Sequence, residues 1–537
     1  MELAERAGLP HRLERMSQLA DSTPEGVEVR VATGLLRGVR ERGVLAWRGV
    51  PYAAAPVGDR RFRAPKPAPA WHGVRDASQW GLIAPQSHKG QFRGAHPRIP
   101  QGEDCLNLNV IVPDERMRPG ARLQDALRPV MVFIHGGAYS VGSSREVPRQ
   151  GEGLVRRGGI VYVSINYRLG ALGYLDFSRF ATPEHPFESN LGLRDQVAAL
   201  QWVQDNIRAF GGDPEAVTLV GESAGGNAVT TLMTVPSAAG LFHRAIAQSA
   251  PPNAVYPSDL TARWAGEFVD SLIEESDPGR YSIDDAARLL LTAEPARLAA
   301  ATTALTVRTP DQDPGTIPLC PVIDGDFLPE RPLDAFRDGR AARIPLIIGT
   351  NAREGSLFSG RIDILATTPP RIRAIFKKTT KTAKKALKAQ YPGIPALRAA
   401  LDFGGDYSFW YPSVKVGERH SRYAPVYFYR FDAAPRLLKL MGLDATHGLE
   451  LFPLFDRLDG WFGRGMTALG GRRDFQDIAT RMQGWWLEFV HGGVPSAEWP
   501  RYDETDRETL IIGASDQVDS DPNRERRLAW GRFVPHV

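Results

Sequence analysis

Val217-Thr-Leu-Val-Gly-Glu-Ser-Ala-Gly-Gly-Asn227 decides how this chain is read. Its first four residues, β-branched and aliphatic, predict a buried strand, and Asn227 to Val235 predict a helix. Between them lies Gly221-Glu222-Ser223-Ala224-Gly225, a G-x-S-x-G sequence. A strand that turns into a helix within so few residues brings its two arms close together, and a Cβ two positions either side of the serine would collide with them. Glycine at both places removes the collision. The turn lifts Ser223 above the sheet edge, and the helix behind it aims its unpaired N–H groups at whatever the hydroxyl attacks. A glycine-rich turn can arise without any chemistry. A strand before it and a helix after it make Ser223 the candidate nucleophile.

Outward from this turn, the flanking segments repeat one pattern. Leu106 to Val112, Val130 to Ile134 and Ile160 to Ile165 read as buried strands, and Gln196 to Phe210 reads as a helix with Val197, Leu200, Val203 and Ile207 at helical spacing, stopped by Gly211-Gly-Asp-Pro214. Strands alternating with helices predict a large, mainly parallel sheet covered on both faces, the α/β class. Nearer the start, Val27-Val29-Val31 and Val44-Ala46 suggest a small antiparallel hairpin at the sheet edge. Residues 1–26 have no evident core partner and read as an extension; 27–537 read as one catalytic domain, with no internal repeat.

The strand Val130–Ile134 ends in His135-Gly-Gly-Ala-Tyr139. Glycines after a buried strand let backbone N–H groups turn into a cavity, where two donors aimed at one point would stabilise an oxyanion. A flexible turn would look the same in isolation. Paired with Ser223, the segment offers the second half of an oxyanion hole.

Bulk properties exclude several classes. The 537 residues are 42% hydrophobic and 24% charged, ordinary for a globular protein, and no run of eighteen apolar residues predicts a membrane span. Met1 to Met16 carry both charge signs and no apolar core of a secretory signal, so a cytoplasmic location is expected. The net charge of +4 implies no polyanionic partner, and nucleic acid is not expected. Two cysteines, Cys105 and Cys320, are too few for a disulfide framework and are expected to be free and buried.

A serine hydroxyl needs a base at neutral pH, and the base needs an anion to fix its tautomer. In this sheet architecture both come later in the chain, acid before histidine. The later histidines are His243, His420, His447, His491 and His536. His243 precedes any strand that could carry an acid, His420 sits in a mixed polar helix, His491 reads as a helix C-cap and His536 is penultimate. His447 follows a turn and precedes Gly448, a loop in which an imidazole can be aimed. For the acid, Glu354 falls just past an apolar strand, Ile344 to Ile348, where open α/β sheets place their sites. An ordinary surface glutamate would fit that position equally well, and Asp402 and Asp406 compete, although no strand precedes them.

These blocks resemble the type-B carboxylesterases, the carboxylesterase and cholinesterase branch of the α/β-hydrolase fold. The matching motifs run collinearly over about residues 27–515 and include Gly49-Val-Pro-Tyr-Ala53, Glu103-Asp-Cys-Leu-Asn-Leu-Asn109, Phe210-Gly-Gly-Asp-Pro214 and Thr350-Asn-Ala-Arg-Glu-Gly355. The resemblance implies Ser223 as nucleophile, Glu354 as acid and His447 as base, with oxyanion donors on Gly137, Ala138 and Ala224. It implies Arg61 with Glu103 and Arg168 with Asp195 as buried ion pairs, and Glu222 as a residue lining the site. Ala138 replaces the third glycine of many relatives but keeps its N–H. The disulfide partner of Cys105 would fall near Ala84, which is no cysteine, and the choline-binding tryptophan near Ala95, so choline esters are not expected substrates.

The expected activity is cleavage of a carboxylic ester through an acyl-enzyme, with a small-molecule ester as partner and neither metal nor organic cofactor required. An amidase, carbamate hydrolase or thioesterase would use the same residues, and a non-catalytic binding protein could share the scaffold. The pocket walls are expected from loops after Val255, around Phe358 to Ile375 and after Phe452. Oligomeric state is not legible. Arg371 to Tyr391 carries eight Lys or Arg residues and no acid, and reads as a solvated amphipathic helix beside the site, with a weak contact to an anionic surface as its other reading.

Overall fold

The computed structural model describes residues 26–89, 91, 95–117, 126–145, 151–273, 281–360 and 362–533, so the N-terminal extension lies outside the described residues but for its last one. A 13-stranded sheet runs through it. At its centre the strands Val161–Ile165, Arg128–Ile134, Gly212–Glu222, Arg244–Gln248, Leu346–Asn351, Val426–Phe431 and Glu508–Ile512 lie side by side in that order, all parallel. Parallel neighbours require crossovers over the faces, and the helices occupy them.

The two faces are legible in the alternation of a single strand. Along Arg128–Ile134, Val130, Val132 and Ile134 enter one apolar cluster, while Met131 and Phe133 enter the other. Helices Leu191–Asn206 and Ala224–Leu232 cover the first face. The second is covered by Arg472–Gly492, whose Trp486 and Phe489 are fully buried. Among the described residues no helix is long and apolar enough to cross a membrane.

The N-terminal edge is antiparallel apart from the short strand Val74–Asp76, which pairs parallel with Gly34–Glu41, and it holds two strands more than expected. Val27–Val31 pairs with Gly34–Glu41, and that strand, not Val27–Val31, pairs with Val44–Pro51. Gly34–Glu41 carries glycines and charges where a strand pattern calls for apolar residues, so its own sequence hides it. Val44–Pro51 then joins the main sheet through Asn107–Pro113.

Element boundaries moved at two places that position the site. The helix expected from Asn227 begins at Ala224, immediately after the serine, and the helix expected from Gln196 begins at Leu191. The basic stretch is not one solvated helix but two, Pro369–Lys377 and Lys381–Gln390, the second N-capped by Thr380. Arg371 is the exception to its solvation: it is buried and paired with Asp311 and Asp363 at 2.7 Å each.

Candidate active site

Ser223 stands between the end of Gly212–Glu222 and the start of Ala224–Leu232, with φ 58° and ψ −122°, a conformation sparsely populated for a residue with a side chain. Its N–H donates to Gln248 O at 2.9 Å and its carbonyl accepts from Asn227 N at 2.9 Å, which pins the turn from both sides. A Cβ on Gly221 would meet Gly225 O at 2.3 Å, and one on Gly225 would meet Ile134 O at 2.1 Å. Glycine at both positions is therefore a steric requirement of the turn.

His135-Gly-Gly-Ala-Tyr139 lies beside this turn at the carboxyl end of the adjacent strand. Gly137 has φ 111°, and a Cβ there would meet Val141 O at 2.2 Å; Ala138 and Tyr139 also have positive φ, 51° and 54°. The loop is held by Tyr139, whose hydroxyl donates to Asn227 at 2.6 Å, and by Tyr167, whose hydroxyl donates to His135 O at 2.6 Å. His135 itself stacks on Tyr167 with centroids 4.5 Å apart, and burial lowers its pKa to about 4, so the ring is neutral. The N–H groups of Gly137 and Ala138, and that of Ala224 in the first helical turn, have no protein acceptor among the described residues.

Glu354 follows the strand Leu346–Asn351, adjacent to Arg244–Gln248, and is buried. One carboxylate oxygen accepts from the Ser249 hydroxyl at 2.7 Å and from Asn351 N at 2.6 Å; the other lies 2.6 Å from Nδ1 of His447. That bond assigns the Nδ1–H tautomer and leaves Nε2, which lies 3.3 Å from Glu222 Oε1, without a hydrogen-bond partner among the described residues, in a residue that lines the same pocket as Ser223. Burial lowers the His447 pKa, but the charges of Glu222, Glu354 and Glu450 outweigh it and raise the pKa to about 9. Glu450, fully buried, accepts from Asn351 Nδ2 at 2.6 Å, and burial together with Glu354 holds its carboxyl above the usual range.

The competing histidines fall away on contacts. His243 lies near Glu215 at 3.6 Å, and His420 bonds Ile344 O at 2.8 Å. The expected C-cap role of His491 is corrected: its Nε2 lies 2.9 Å from Gly158 O, the end of the neighbouring helix Glu152–Gly158, while Gly493 N–H closes its own helix on Phe489 O. His536 lies outside the described residues. Asp402 pairs with Arg353 and Asp406 with Arg526, away from any imidazole.

A cavity of about 310 Å³ joins these groups. Ser223, His447, Glu222, Gly137, Ala138 and Ala224 form one end of it. Its walls are apolar and come from Pro251 and Ala254, from Ile317, Leu319 and Cys320, from Leu357, Phe358, Ile362 and Ile364, and from Phe409. The expected wall around Phe358 is present, but only up to Ile364, and residues after Phe452 do not line the cavity, while 317–320 and Phe409 were not foreseen. Phe409 lies in a π-helical turn, Asp406–Trp410, with its ring centroid 4.6 Å from that of His447; Phe358 lies 5.2 Å from the imidazole and stacks on Phe409 with centroids 5.6 Å apart.

Two expected ion pairs brace the surroundings. Arg168 and Asp195, both buried, make a bidentate pair at 2.8 and 2.7 Å. Arg61 pairs with Glu103, and its Nη1 also donates to the carbonyls of Leu290, Leu291 and Ala293, closing the end of the helix Ile283–Thr292. Cys105 and Cys320 are free and buried, as expected.

With this geometry in view, comparison with known proteins is decisive: residues 25–530 match the model of the carboxylesterase family. This chain belongs to the carboxylesterase family. It is 36% identical over 499 residues to the para-nitrobenzyl esterase of Bacillus subtilis (strain 168), covering 92% of this chain and 96% of that one. It is 32% identical over 491 residues to the phenmedipham hydrolase of Pseudarthrobacter oxydans, covering 89% and 94%. A solved PNB esterase superimposes with TM-score 0.81 at 33% identity, over 95% of this chain and 99% of that one. The fold is thus the α/β-hydrolase fold, and this carboxylesterase is an enzyme that hydrolyses carboxylic esters.

Sequence reasoning missed Ser249, Asn351 and Glu450 around the acid, and Phe409 in the wall. Ser249 carried a usable signal, since it directly follows the strand next to that of the nucleophile, at the carboxyl edge where such sites form. Glu450 precedes the short helix Leu451–Leu454 and Phe409 stands in a helical stretch, with nothing local to mark either.

Proposed function

We propose that Ser223 is the nucleophile of a two-step acyl transfer, His447 its general base and Glu354 the anion that orients the imidazole. Neutral His447 takes the Ser223 proton as the hydroxyl attacks the ester carbonyl. The N–H groups of Gly137, Ala138 and Ala224 receive the oxyanion, and being fixed by the surrounding backbone they need no reorganisation as charge develops. The protonated ring then delivers its proton to the departing alcohol. Water, deprotonated by the same ring, attacks the acyl-enzyme and releases the acid, and Ser223 regains its proton.

The observation that carries this reading is the setting of His447: Nδ1 is bonded to Glu354, Nε2 is left without a hydrogen-bond partner among the described residues, and the residue lines the same cavity as Ser223. The apolar walls favour an uncharged acyl or alcohol group. Ser223→Ala should abolish the burst of p-nitrophenol from a short acyl ester, and an undiminished burst would rule Ser223 out. A cytoplasmic site of action also fits, because two unpaired buried thiols suit a reducing compartment; subcellular fractionation tests it.

A further inference from the structure

The carboxylesterase exposes large apolar side chains in one neighbourhood. Trp461 is 87% exposed, Leu440 69%, Leu397 64% and Met441 62%, the four highest values among its exposed large hydrophobic residues. Leu440 ends the helix Arg436–Leu440, which packs against Trp461–Met466, the helix that also carries exposed Phe462. Leu397 begins the helix Leu397–Gly405, and its neighbour Arg398 is paired with Asp444, three residues past Met441, at 3.2 Å. The ledge is anchored to the site: Arg353, next to Glu354, donates to Gly442 O at 2.7 Å and pairs with Asp444 at 2.9 Å. Monomers rarely leave so many large apolar groups together in water.

The acids at this ledge are already paired with arginines, Asp444 with Arg353 and Arg398 and Asp459 with Arg472, while several of its cations are not. Arg436, Lys439 and Arg464 are exposed on its two helices and form no ion pair among the described residues. Leading into Leu397 is the helix Lys381–Gln390, the second of the basic pair. The chain has only ten lysines among its 66 cationic side chains, yet six of the ten lie between Lys377 and Lys388. All six are exposed and without an ion pair among the described residues, whereas many arginines elsewhere hold fixed carboxylates. Arginine suits a fixed planar partner; lysine, a point charge on a flexible stem, suits mobile anions that offer no fixed geometry.

We infer that the ledge of Trp461, Phe462, Leu440, Met441 and Leu397, with the flanking lysines, docks the enzyme on an anionic phospholipid surface. Apolar side chains including tryptophan would sit at the headgroup boundary while the cations meet lipid phosphates, which is how an interfacial contact without a spanning segment is built. A second copy of the chain is a poorer occupant. A two-fold contact through this face would set Lys439 and Arg464 near their own counterparts, while its acids Asp444 and Asp459 are already paired with arginines of their own chain.

The test is flotation of the full chain at low salt with vesicles of phosphatidylcholine alone and of phosphatidylcholine with phosphatidylglycerol. The enzyme should float with the anionic vesicles, stay behind with the neutral ones and be released by added salt. Trp461→Ser with Met441→Ser should weaken partitioning at least about tenfold, and Lys381→Gln with Lys385→Gln and Lys388→Gln by about tenfold. Both variants should hydrolyse a soluble p-nitrophenyl ester at the unmodified rate, which shows that they are folded. The inference is overturned if the chain floats with neither vesicle, if the variants float as well as the parent, or if light scattering finds a dimer that Trp461→Ser dissolves.

Discussion

Glu354 Oε2 lies 2.6 Å from His447 Nδ1, although 93 residues separate them in the chain. The acid is itself fixed by Ser249 and Asn351, so the imidazole is aimed by a carboxylate that cannot swing away. Glu354→Gln keeps the shape but loses the charge and offers the wrong hydrogen-bonding group to Nδ1. It should lower kcat by about 10³-fold or more with little change in KM, measured by steady-state hydrolysis of a p-nitrophenyl ester.

The raised pKa of His447 sets the pH profile. Below about 9 the ring is largely imidazolium and cannot act as base, so kcat/KM should climb with pH and level off near that value. Glu222 is the largest of the groups that raise it, and Glu222→Gln should move the rising limb to lower pH by roughly one unit. A limb that stays in place in the variant would count against this electrostatic account.

The same shift has a consequence for stability. Because the folded pKa of His447 lies above the ordinary 6.5, its contribution is fully present below about pH 6.5 and is lost as pH rises through about 9. Glu450, whose carboxyl burial raises to about 7, acts in the same direction at lower pH, its contribution being fully present below about pH 4.5 and lost as pH rises through about 7. Thermal unfolding should therefore move to lower temperature between neutral and alkaline pH. Glu450→Gln, which has no proton to lose, should flatten the slope between about pH 4.5 and 7, as calorimetry across pH would show.

Gly137 tests the proposed oxyanion donors. A methyl at this position meets Val141 O at 2.2 Å in a backbone with φ 111°, so Gly137→Ala must displace the loop. Misaiming its N–H groups should cost about 10²- to 10³-fold in kcat while leaving substrate binding in the apolar cavity largely intact. Comparing kcat and KM for one ester separates the two effects.

Asp195→Ala would leave Arg168 buried and unpaired. Breaking such a pair from one side should destabilise the enzyme by about 3–5 kcal/mol, whereas Arg168→Met with Asp195→Leu should cost much less. Urea denaturation midpoints of the two variants decide it.

How much of this was legible in the sequence follows from which residues act locally. The turn at Ser223 is written largely in adjacent residues, because Gly221 answers a clash with Gly225, although Gly225 answers one with Ile134 of the neighbouring strand, and the buried parallel strands announce themselves by composition. The order of acid and histidine, with the loop before Gly448, pointed to His447, whereas Glu354 kept rivals in Asp402 and Asp406 until the resemblance to the carboxylesterases chose it. What stayed hidden depends on distant packing. Nothing near Phe409 reveals that a π-helical turn will lay its ring 4.6 Å from His447, and nothing near Glu450 says it will be buried behind Asn351. Gly34–Glu41 escaped notice as a strand because its partners on both sides, rather than its own pattern, hold it in the sheet. His491 was misread because the carbonyl it meets belongs to another helix.

The most direct test of the central claim is to react the enzyme with a fluorophosphonate, digest it and locate the adduct by mass spectrometry. The account predicts a single adduct on Ser223, loss of ester hydrolysis in step with labelling, and an unlabelled, inactive Ser223→Ala. An adduct on a different serine, or a Ser223→Ala enzyme that still turns over ester, would contradict it.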